Sequence, residues 1–487
     1  MDRLHPRRLR EPAHAGDLLI GIDIGTTLTK VGVVGVDGRE IVQSAEPTPW
    51  HHDPTGGHFV PEELLATVLR CAASAVAQAP PGNFIGVGAT SMAETAVMLD
   101  ASLTPVGPAV AWFDVRARDE FAEIKRDLGA EVVARTTGLA TSQIPTVATI
   151  RWLRRHVDDS RRAVTFAAVA DWVISRLCGR LVAELSLASR TGALDVAGRQ
   201  WWDGALEWAG LRGEDQLALC HAGTPFATVT TDYPGLERVR GAVATSAGHD
   251  HLCASVGVGV NHAGSILDSC GTAEALVRPL PRAVLDDVSR GHPMGIETGW
   301  HVIPDHYALI GGLSLGLNLL PVLERLGVQS RDGQTPLDAG ALALLHTGAR
   351  VAEQFGEVSA LRERLDAAEM VSTHQGESPE QIWLSVMRTA VAGAQQLYNG
   401  LVELGGPIDE VRVSGGWSRN PVLRALKAEV FPPLSYPLVK ESGIRGAALL
   451  AALAAGVYAD PLELPGPQLD DADPPLATSS PWATQRE

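Results

Sequence analysis

The residues whose types and spacing are best suited to chemistry lie in the segment AGHDHLCASVGVG, where Asp250 stands between His249 and His251. A carboxylate between two imidazoles can be a metal site, a charged surface turn, or a catalytic base with polar neighbours. A zinc site is the weakest of the three, because adjacent residues of a strand point to opposite faces and no second cluster of His and Cys lies nearby. The choice between the other two depends on the rest of the chain.

A second chemical segment is GIDIGTTLTK, where Asp23 closes an apolar run and Gly25, Thr26 and Thr27 follow it. Exposed backbone N–H groups in such a turn, together with hydroxyl donors, suit a terminal phosphate group. Asp23 would bind Mg²⁺ directly or through water, since a carboxylate oxygen is a hard ligand. An ordinary hairpin turn with glycine at positive φ is the alternative.

Two further glycine-containing segments lie in the second half of the chain. DSCGTAEAL repeats the Gly-Thr pair at Gly271 and Thr272, and VSGGWSRNPVLRAL places Gly415 and Gly416 between a predicted strand and a predicted helix. Each is also compatible with a simple tight turn. Two Gly-Thr loops can clamp one polyphosphate, and paired glycines let a flat ring lie on the backbone, so an ATP site is predicted. The chain has neither GxxxxGK[ST] nor GxGxxG, which argues against Walker-type and dinucleotide-binding proteins.

The elements that must position these residues are similar in kind in the two halves of the chain. DLLIGIDIGTTLTKVGVVGVDGREIVQS predicts three strands joined by turns, and a helix and the strand IGVGATS follow. From Val243 the pattern restarts with a strand, a Gly-Thr turn and a strand, while Asp119 to Trp208 is mostly helical in pattern. Two similar halves that face each other across a cleft can hold one nucleotide. We therefore predict an α/β protein built from two such halves.

The composition limits the class of protein. A chain of 487 residues predicts two domains or more, and a net charge of −17 argues against a nucleic-acid partner. The five cysteines are dispersed and include no CxxC, which is typical of a reducing compartment. No apolar run approaches the roughly 20 residues that span a bilayer, and the basic N-terminus lacks the apolar core of a signal peptide. These features predict a cytoplasmic protein without a membrane partner.

The segments GIDIGTTLTK, AWFDVR, GHDH, DSCGTAEAL and SGGWSRNP…GIRGAALLAA occur in the order and spacing of the FGGY carbohydrate kinases. The resemblance covers about residues 17 to 460. It implies the actin-like, ribonuclease H-like ATPase fold, with two domains on either side of a cleft for nucleotide and substrate. We accordingly expect an N-terminal domain over 17–246 and a C-terminal domain over 247–460, with disordered tails at 1–16 and 461–487.

The same resemblance assigns roles to single residues. It makes Asp250 the catalytic base, and it makes Asp23, together with Asp250, the Mg²⁺ site. ATP-binding positions are implied at Gly25, Thr26, Thr27, Lys30, Gly271, Thr272, Gly415, Gly416 and Asn420. Asn420 falls with the paired glycines in the adenosine segment.

The acceptor pocket departs from the better-known members of that family. In SMAETAVMLD, Glu94 occupies the place of the xylulose kinase histidine and of the glycerol kinase glutamate, while the arginine that precedes the latter is Ala93 here. Glu94 would accept hydrogen bonds from two hydroxyl groups of a polyol. A solvated residue at a strand end is the alternative.

Further acceptor contacts are expected from AWFDVR and from the two histidines. Trp112 would form an apolar wall, and Asp114 and Arg116 would be polar contacts or, alternatively, a structural ion pair. His249 and His251 are expected in the acceptor pocket, and His251 replaces an amide that many relatives carry. The substrate identity therefore depends on residues that the resemblance explains least.

The predicted function is ATP-dependent phosphorylation of a terminal hydroxyl of a small ketose, such as a pentulose, or of a polyol. The competing class is an actin-like ATPase that acts as a conformational or binding module without a small acceptor. ADP release that depends on an acceptor distinguishes the two. The expected partners are Mg²⁺-ATP and a small sugar or polyol, and the resemblance also allows a homodimer.

Overall fold

A computed structural model of the protein describes residues 16–139, 144–230, 232–348, 371 and 376–470. The disordered tails expected at the two ends fall mainly on residues 1–15 and 471–487, outside the described residues. Within the described part, no helix is long and apolar enough to cross a membrane.

The strands in chain order are β1 Leu18–Ile24, β2 Leu28–Gly35, β3 Glu40–Pro47, β4 His51–Asp53, β5 Gly56–Phe59, β6 Phe84–Ser91, β7 Ala96–Leu99, β8 Ala109–Val110, β9 Thr165–Ala168, β10 Ala183–Glu184, β11 Leu194–Asp195, β12 Gln200–Trp201, β13 Leu219–Cys220, β14 Ala227–Thr228, β15 Val243–His249, β16 Ser265–Cys270, β17 Glu274–Leu280, β18 Glu297–Trp300, β19 Tyr307–Leu313, β20 Glu410–Ser414 and β21 Leu434–Ser435. The helices are α1 Pro61–Gln78, α2 Arg118–Leu128, α3 Ala130–Thr137, α4 Thr146–His156, α5 Val169–Cys178, α6 Leu185–Ala188, α7 Asp203–Ala209, α8 Asp250–Gly257, α9 Leu285–Ser289, α10 Leu315–Arg325, α11 Arg331–His346, α12 Pro379–Gly405, α13 Pro421–Val430 and α14 Ser442–Ala454.

Two six-stranded sheets form the centres of the two halves, and five strands of each have the same arrangement. Their orders are β14-β15-β6-β1-β2-β3 and β18-β19-β17-β16-β20-β21. In the first sheet β1, β2 and β3 form an antiparallel meander, and β6 and β15 continue it in parallel from β1. In the second sheet β16, β17 and β19 form the meander, and β20 and β21 continue it in parallel from β16. The duplicated α/β arrangement predicted from the sequence is confirmed.

The strand β1 is a continuous apolar run because helices cover both faces of its sheet. On one face, α14 packs against β1 and β6 at very short range. A Cβ at Gly21 would lie 2.0 Å from the carbonyl oxygen of Ile444, and one at Gly88 would lie 2.1 Å from that of Ala447. Only glycine allows this approach of a helix to the strands.

The helices α8 and α14 each cross from one half of the molecule to the other. Each follows the last parallel strand of its own sheet, and each packs on the sheet of the other half. Leu252 and Val256 of α8 are buried with Leu267 of β16 and Val277 of β17. The two helices also contact each other, so the residues that begin them face the region between the two sheets.

The predicted helical middle of the chain is confirmed by α2, α3, α4, α5 and α7. The expectation of disorder after Asp460 is wrong for residues 461–470. The side chain of Leu464 is buried, and the buried guanidinium of Arg445 donates to the carbonyl oxygen of Pro465 at 2.6 Å. The Pro-rich composition gives no strand or helix pattern, yet its backbone carbonyls satisfy a buried cation.

Candidate active site

The first Gly-Thr turn joins β1 to β2. The amide of Gly25 donates to the carbonyl oxygen of Leu28 at 3.0 Å, and Thr27 is exposed at the tip. Asp23 lies opposite Lys30 in the strand register. The turn is therefore a hairpin, but Gly25 is not among the glycines with positive φ that the alternative expected. The turn also presents a hydroxyl and a carboxylate at one end of the sheet.

The second Gly-Thr turn occupies the equivalent place between β16 and β17. The amide of Gly271 donates to the carbonyl oxygen of Ala273 at 2.9 Å, and Thr272 is exposed. The first turn of α10 supports it, because the amide of Leu317 donates to the carbonyl oxygen of Thr272 at 3.0 Å. Both turns thus join the first two strands of their sheets.

Asp250 begins α8, and β15 ends at His249. This corrects the sequence-based expectation that both residues belong to one strand and point to opposite faces. The Nε2 of His249 lies 3.2 Å from Oδ1 of Asp250, and the amide of His251 donates to the same oxygen at 2.7 Å.

Among the described residues, the one group of three metal-ligand side chains is Asp268, Cys270 and Glu274, so a zinc site at the histidines gains no support.

Asp23 and Asp250 influence each other electrostatically across the cleft. Burial and the neighbouring charge of Asp250 raise the pKa of Asp23 to about 7, although Lys30 acts in the opposite direction. Burial also raises the pKa of Asp250, and His251 opposes this shift. Lys30 itself is paired with Glu441, with a distance of 2.6 Å between Nζ and Oε2. Lys30 therefore acts on both Asp23 and Glu441.

This arrangement fits a bound Mg²⁺. Two carboxylates that repel each other supply the hard oxygen ligands that the ion prefers. The first turn of α14 lies directly on Asp23, since a Cβ at Gly443 would be 2.5 Å from its Oδ2. Lys30 forms an ion pair with Glu441 just before α14, and its expected contact with ATP stays a prediction.

A buried charge cluster contains Glu94, the carboxylate expected in the acceptor pocket. Nε and Nη2 of Arg190 approach Oε1 of Glu94 at 2.7 Å, and Nη1 approaches Oε2 of Glu297 at 2.7 Å. The three side chains are at most 10% exposed. The alternative that Glu94 is a solvated strand-end residue is therefore wrong.

Glu94 also has an unusual backbone conformation, with φ of 59°. Its carbonyl oxygen accepts a hydrogen bond from Oγ1 of Thr146 at 2.9 Å. A left-handed glutamate is a strained residue that its surroundings hold in place, and such residues cluster at functional sites. Burial raises the pKa of the Glu94 carboxyl, which Arg190 opposes and Glu297 and Asp250 reinforce.

Trp112 and the pair Asp114–Arg116 lie beside the first Gly-Thr turn. The indole Nε1 of Trp112 donates to Oγ1 of Thr26 at 2.8 Å. The carboxylate of Asp114 accepts from Arg116 and from the amide of Gly57 at 2.8 Å, and Arg116 also donates to Asp53 at 2.8 Å. The geometry favours the structural ion pair for Asp114 and Arg116 over contact with an acceptor.

The predicted adenosine segment divides into an open part and a structural part. Gly415 has φ of 92°, and a Cβ there would lie 2.4 Å from the carbonyl oxygen of Cys270. A Cβ at Gly416 would meet no atom within 4 Å.

Asn420 is buried at the start of α13, where its Oδ1 accepts from the amide of Leu423 at 3.0 Å and its Nδ2 donates to Asp338 at 2.9 Å. Both ends of the Asn420 amide are thus engaged within the protein, and its place in the adenosine site stays a prediction.

Sequence reasoning missed a buried network that holds the backbone before Asp250. The hydroxyl of Ser186 donates to Oε2 of Glu184 at 2.5 Å and accepts from the amide of His249 at 3.0 Å. Burial raises the pKa of Glu184 to about 7, and burial together with Glu184 raises that of Asp171 to about 8. The segment ELSLASRTG supplies Glu184 and Ser186 of this network and also Arg190. No sequence signal marks Glu297.

Two duplicated sheets, paired Gly-Thr turns and an acidic residue at the start of the helix between them define a phosphotransferase with the actin-like ATPase fold. The chain belongs to the FGGY family of carbohydrate kinases: the family's N-terminal domain matches residues 18–257 and its C-terminal domain matches residues 269–455. It is thus a carbohydrate kinase, as the resemblance implied.

Among curated proteins, an autoinducer-2 kinase of Yersinia pestis (strain Pestoides F) is 26% identical over 482 residues, which cover 91% of this chain and 87% of that protein. Among solved structures, a xylulose kinase from Rhodospirillum rubrum shares the fold with a TM-score of 0.80 at 19% identity, covering 93% of each chain. A gluconate kinase from Lactobacillus acidophilus has a TM-score of 0.78 at 17% identity, covering 93% of this chain and 92% of its own. Plasmodium falciparum glycerol kinase with ADP has a TM-score of 0.79 at 16% identity, covering 93% of each chain.

Proposed function

We propose that the protein transfers the γ-phosphoryl group of ATP to a terminal hydroxyl of a small ketose, such as a pentulose, or of a polyol. One observation carries the proposal: Asp250 begins α8, the helix that follows β15 of the first sheet and packs on β16 and β17 of the second, so we place its carboxylate between the nucleotide and the acceptor. A base placed between the two sites can reach the hydroxyl that attacks the phosphorus.

Asp250 is the general base in this proposal. Its carboxylate accepts the proton of the acceptor hydroxyl while the new O–P bond forms and the bond to ADP breaks. The amide of His251, 2.7 Å from Oδ1, fixes the orientation of the carboxylate. A positioned base of this kind contributes about 10²–10⁴-fold to the rate.

The two Gly-Thr turns bind the phosphates of ATP. Thr27 and Thr272 are exposed and lie at equivalent ends of the two sheets, so their hydroxyls and the neighbouring amides can donate to phosphate oxygens from both sides. Asp23 and Asp250 would hold Mg²⁺, which when bound neutralises charge on the phosphate oxygens. Gly416, where an added Cβ would meet no atom within 4 Å, leaves room for the adenine ring, and Gly415 shapes the turn before it.

The acceptor lies against Glu94, His249 and His251, with Trp112 as an apolar wall. His249 is buried, and its Nδ1 has no hydrogen-bond partner among the described residues. A buried polar atom without a partner is costly, and a substrate hydroxyl would satisfy it. Asp114 and Arg116 do not belong to the proposed pocket, because they bind each other and the β4–β5 hairpin.

Release of ADP over a panel of ketoses and polyols tests the proposal. We expect ADP release to depend on an acceptor, and we expect Asp250→Asn to reduce it by about 10²–10⁴-fold. ATP hydrolysis that no acceptor stimulates would instead support the competing ATPase module. The cytoplasmic location and the homodimer stay predictions, and size-exclusion chromatography with light scattering tests the latter.

A further inference from the structure

Trp417 lies between the two segments of the second half that are proposed to bind ATP. It belongs to the 3₁₀ turn Gly416–Arg419, which joins β20 to α13, and its side chain is partly exposed. A Cβ at Gly316, in the first turn of α10, would lie 2.9 Å from the indole Nε1 of Trp417 and 2.7 Å from the carbonyl oxygen of Gly271. The indole nitrogen therefore lies beside the second Gly-Thr turn as well as beside the paired glycines.

Gly316 is the residue that permits this arrangement. The amide of the next residue, Leu317, donates to the carbonyl oxygen of Thr272 at 3.0 Å, which holds the first turn of α10 against the Gly-Thr turn. A side chain at position 316 would collide with the indole nitrogen and with the backbone of the turn at once. Glycine at this position therefore lets the indole approach the turn.

The indole N–H of Trp417 is available to a ligand. Within the part of the chain that the structure describes, its Nε1 donates to no side chain or carbonyl group. The neighbouring ring of Trp383, with its centroid 6.3 Å away, is fully buried, and its Nε1 donates to Oδ1 of Asp338 at 2.7 Å. An indole nitrogen is only a donor, so the partner of Trp417 must be an acceptor such as a phosphate oxygen.

The first Gly-Thr turn also has indoles beside it, but their N–H groups are engaged by the protein. Nε1 of Trp112 donates to Oγ1 of Thr26 at 2.8 Å, and Nε1 of Trp50 donates to the carbonyl oxygen of Thr26 at 2.6 Å. At the second turn, Trp417 has no such acceptor among the described residues, while Thr272 is exposed. An acceptor carried by the ligand can take this place.

We propose that Trp417 binds the nucleotide, with its indole N–H donating to a phosphate oxygen of ATP at the second Gly-Thr turn. This inference rests on the proposed function, because that function places phosphates at Gly271 and Thr272. A hydrogen bond to a charged acceptor is stronger than one to a neutral acceptor. Loss of the donor should therefore weaken ATP binding by about tenfold or more.

Isothermal titration calorimetry with ATP and without an acceptor tests the inference. Trp417→Phe keeps an aromatic ring and removes the donor, so its dissociation constant for ATP should rise by about tenfold or more, while KM for the acceptor stays unchanged. The matched control is Trp202→Phe, because Trp202 is also partly exposed and its indole nitrogen likewise has no acceptor among the described residues. It should leave ATP binding as it is.

The outcomes separate this inference from the proposed function. Unchanged ATP binding by a folded Trp417→Phe protein would overturn the inference and leave phosphoryl transfer itself intact. Failure of the unaltered protein to bind ATP would contradict the proposed function and the inference together. Gly316→Ala leaves Trp417 in the chain but crowds its nitrogen and the turn, so it should also weaken ATP binding, and unchanged binding in that variant would count against the inference.

A second nucleotide distinguishes a phosphate oxygen from a ribose hydroxyl. 2′-Deoxy-ATP keeps every phosphate of ATP and lacks one hydroxyl. Trp417→Phe should therefore weaken the binding of 2′-deoxy-ATP and of ATP by the same factor. A smaller loss with 2′-deoxy-ATP would place the indole N–H on the ribose and overturn its assignment to a phosphate.

Discussion

The hydroxyl oxygen of Ser186 accepts a hydrogen bond from the backbone amide of His249 at 3.0 Å. This contact joins the mid-chain helix α6 to the residue directly before the proposed base. On the other side, Oγ1 of Thr90 donates to the carbonyl oxygen of Gly248 at 2.6 Å. The backbone that presents Asp250 is therefore held from two elements of the N-terminal half, independently of any ligand.

Replacing the base tests the mechanism most directly. Asp250→Asn removes the proton acceptor and keeps the size of the side chain, so kcat should fall by about 10²–10⁴-fold. Isothermal titration calorimetry should show nearly unchanged ATP binding. The control Asp158→Asn alters a carboxylate that is 92% exposed and should turn over normally. Normal turnover by Asp250→Asn would exclude it as the base.

Ser186→Ala should reduce kcat by about tenfold without a matching change in the dissociation constant for ATP, because small displacements of a reacting group are costly. It leaves the amide of His249 without its partner, while Oε2 of Glu184 keeps the amide of Leu187 as a donor, and a loss of stability of about 1–3 kcal/mol follows. Ser186→Thr, which keeps the hydroxyl, should recover part of kcat. The exposed Ser74→Ala is the control. A loss confined to stability, with kcat unchanged, would show that Ser186 does not position the base.

Lys427 is almost fully buried beneath the second Gly-Thr turn, where its ammonium contacts the carboxylates of Asp268 and Glu274. Lys427→Met would leave two buried acids without their cation, at a cost of about 3–5 kcal/mol. Because Cys270 and Glu274 flank the turn at Gly271, KM for ATP should rise more than KM for the acceptor. Urea unfolding and steady-state kinetics measure the two effects, and exposed Lys440→Met is the control. Equal changes in both KM values would argue against a link to the nucleotide turn.

The raised pKa values of Asp171 and Glu184 predict that the stability of the fold depends on pH. Burial raises their pKa values from 3.8 to about 8 and from 4.5 to about 7. At pH values between the unfolded-state and the folded-state pKa of each group, the folded protein binds more protons than the unfolded chain. The free energy of unfolding should therefore fall as pH rises from about 5 to about 8. Glu184→Gln should flatten this slope in urea titrations at successive pH values. A slope that is unchanged in the variant would remove Glu184 as a contributor.

The elements and the nucleotide turns were predictable because their signals are local. An apolar strand, a Gly-Thr pair and a second strand, as at Gly25 and again at Gly271, specify a hairpin whatever lies around them. The start of α8 at Asp250 was not predictable, since a short apolar run fits strand and helix equally. Arg190 and Glu297 come from distant parts of the chain, and only the packed fold brings their charges together.

The proposed role of Asp23 as a Mg²⁺ ligand predicts that the reaction requires this ion. Chelation with EDTA should abolish ADP release, and added Mg²⁺ should restore it, because Asp23 and Asp250 form a carboxylate pair suited to that ion. Asp23→Asn should raise the Mg²⁺ concentration for half-maximal activity by about tenfold or more, since it removes one ligand charge. Asp37→Asn, whose carboxylate is 66% exposed in the β2–β3 turn, should leave the requirement unchanged. If Asp23→Asn activates at the same Mg²⁺ concentration as the unaltered protein, Asp23 does not hold the ion.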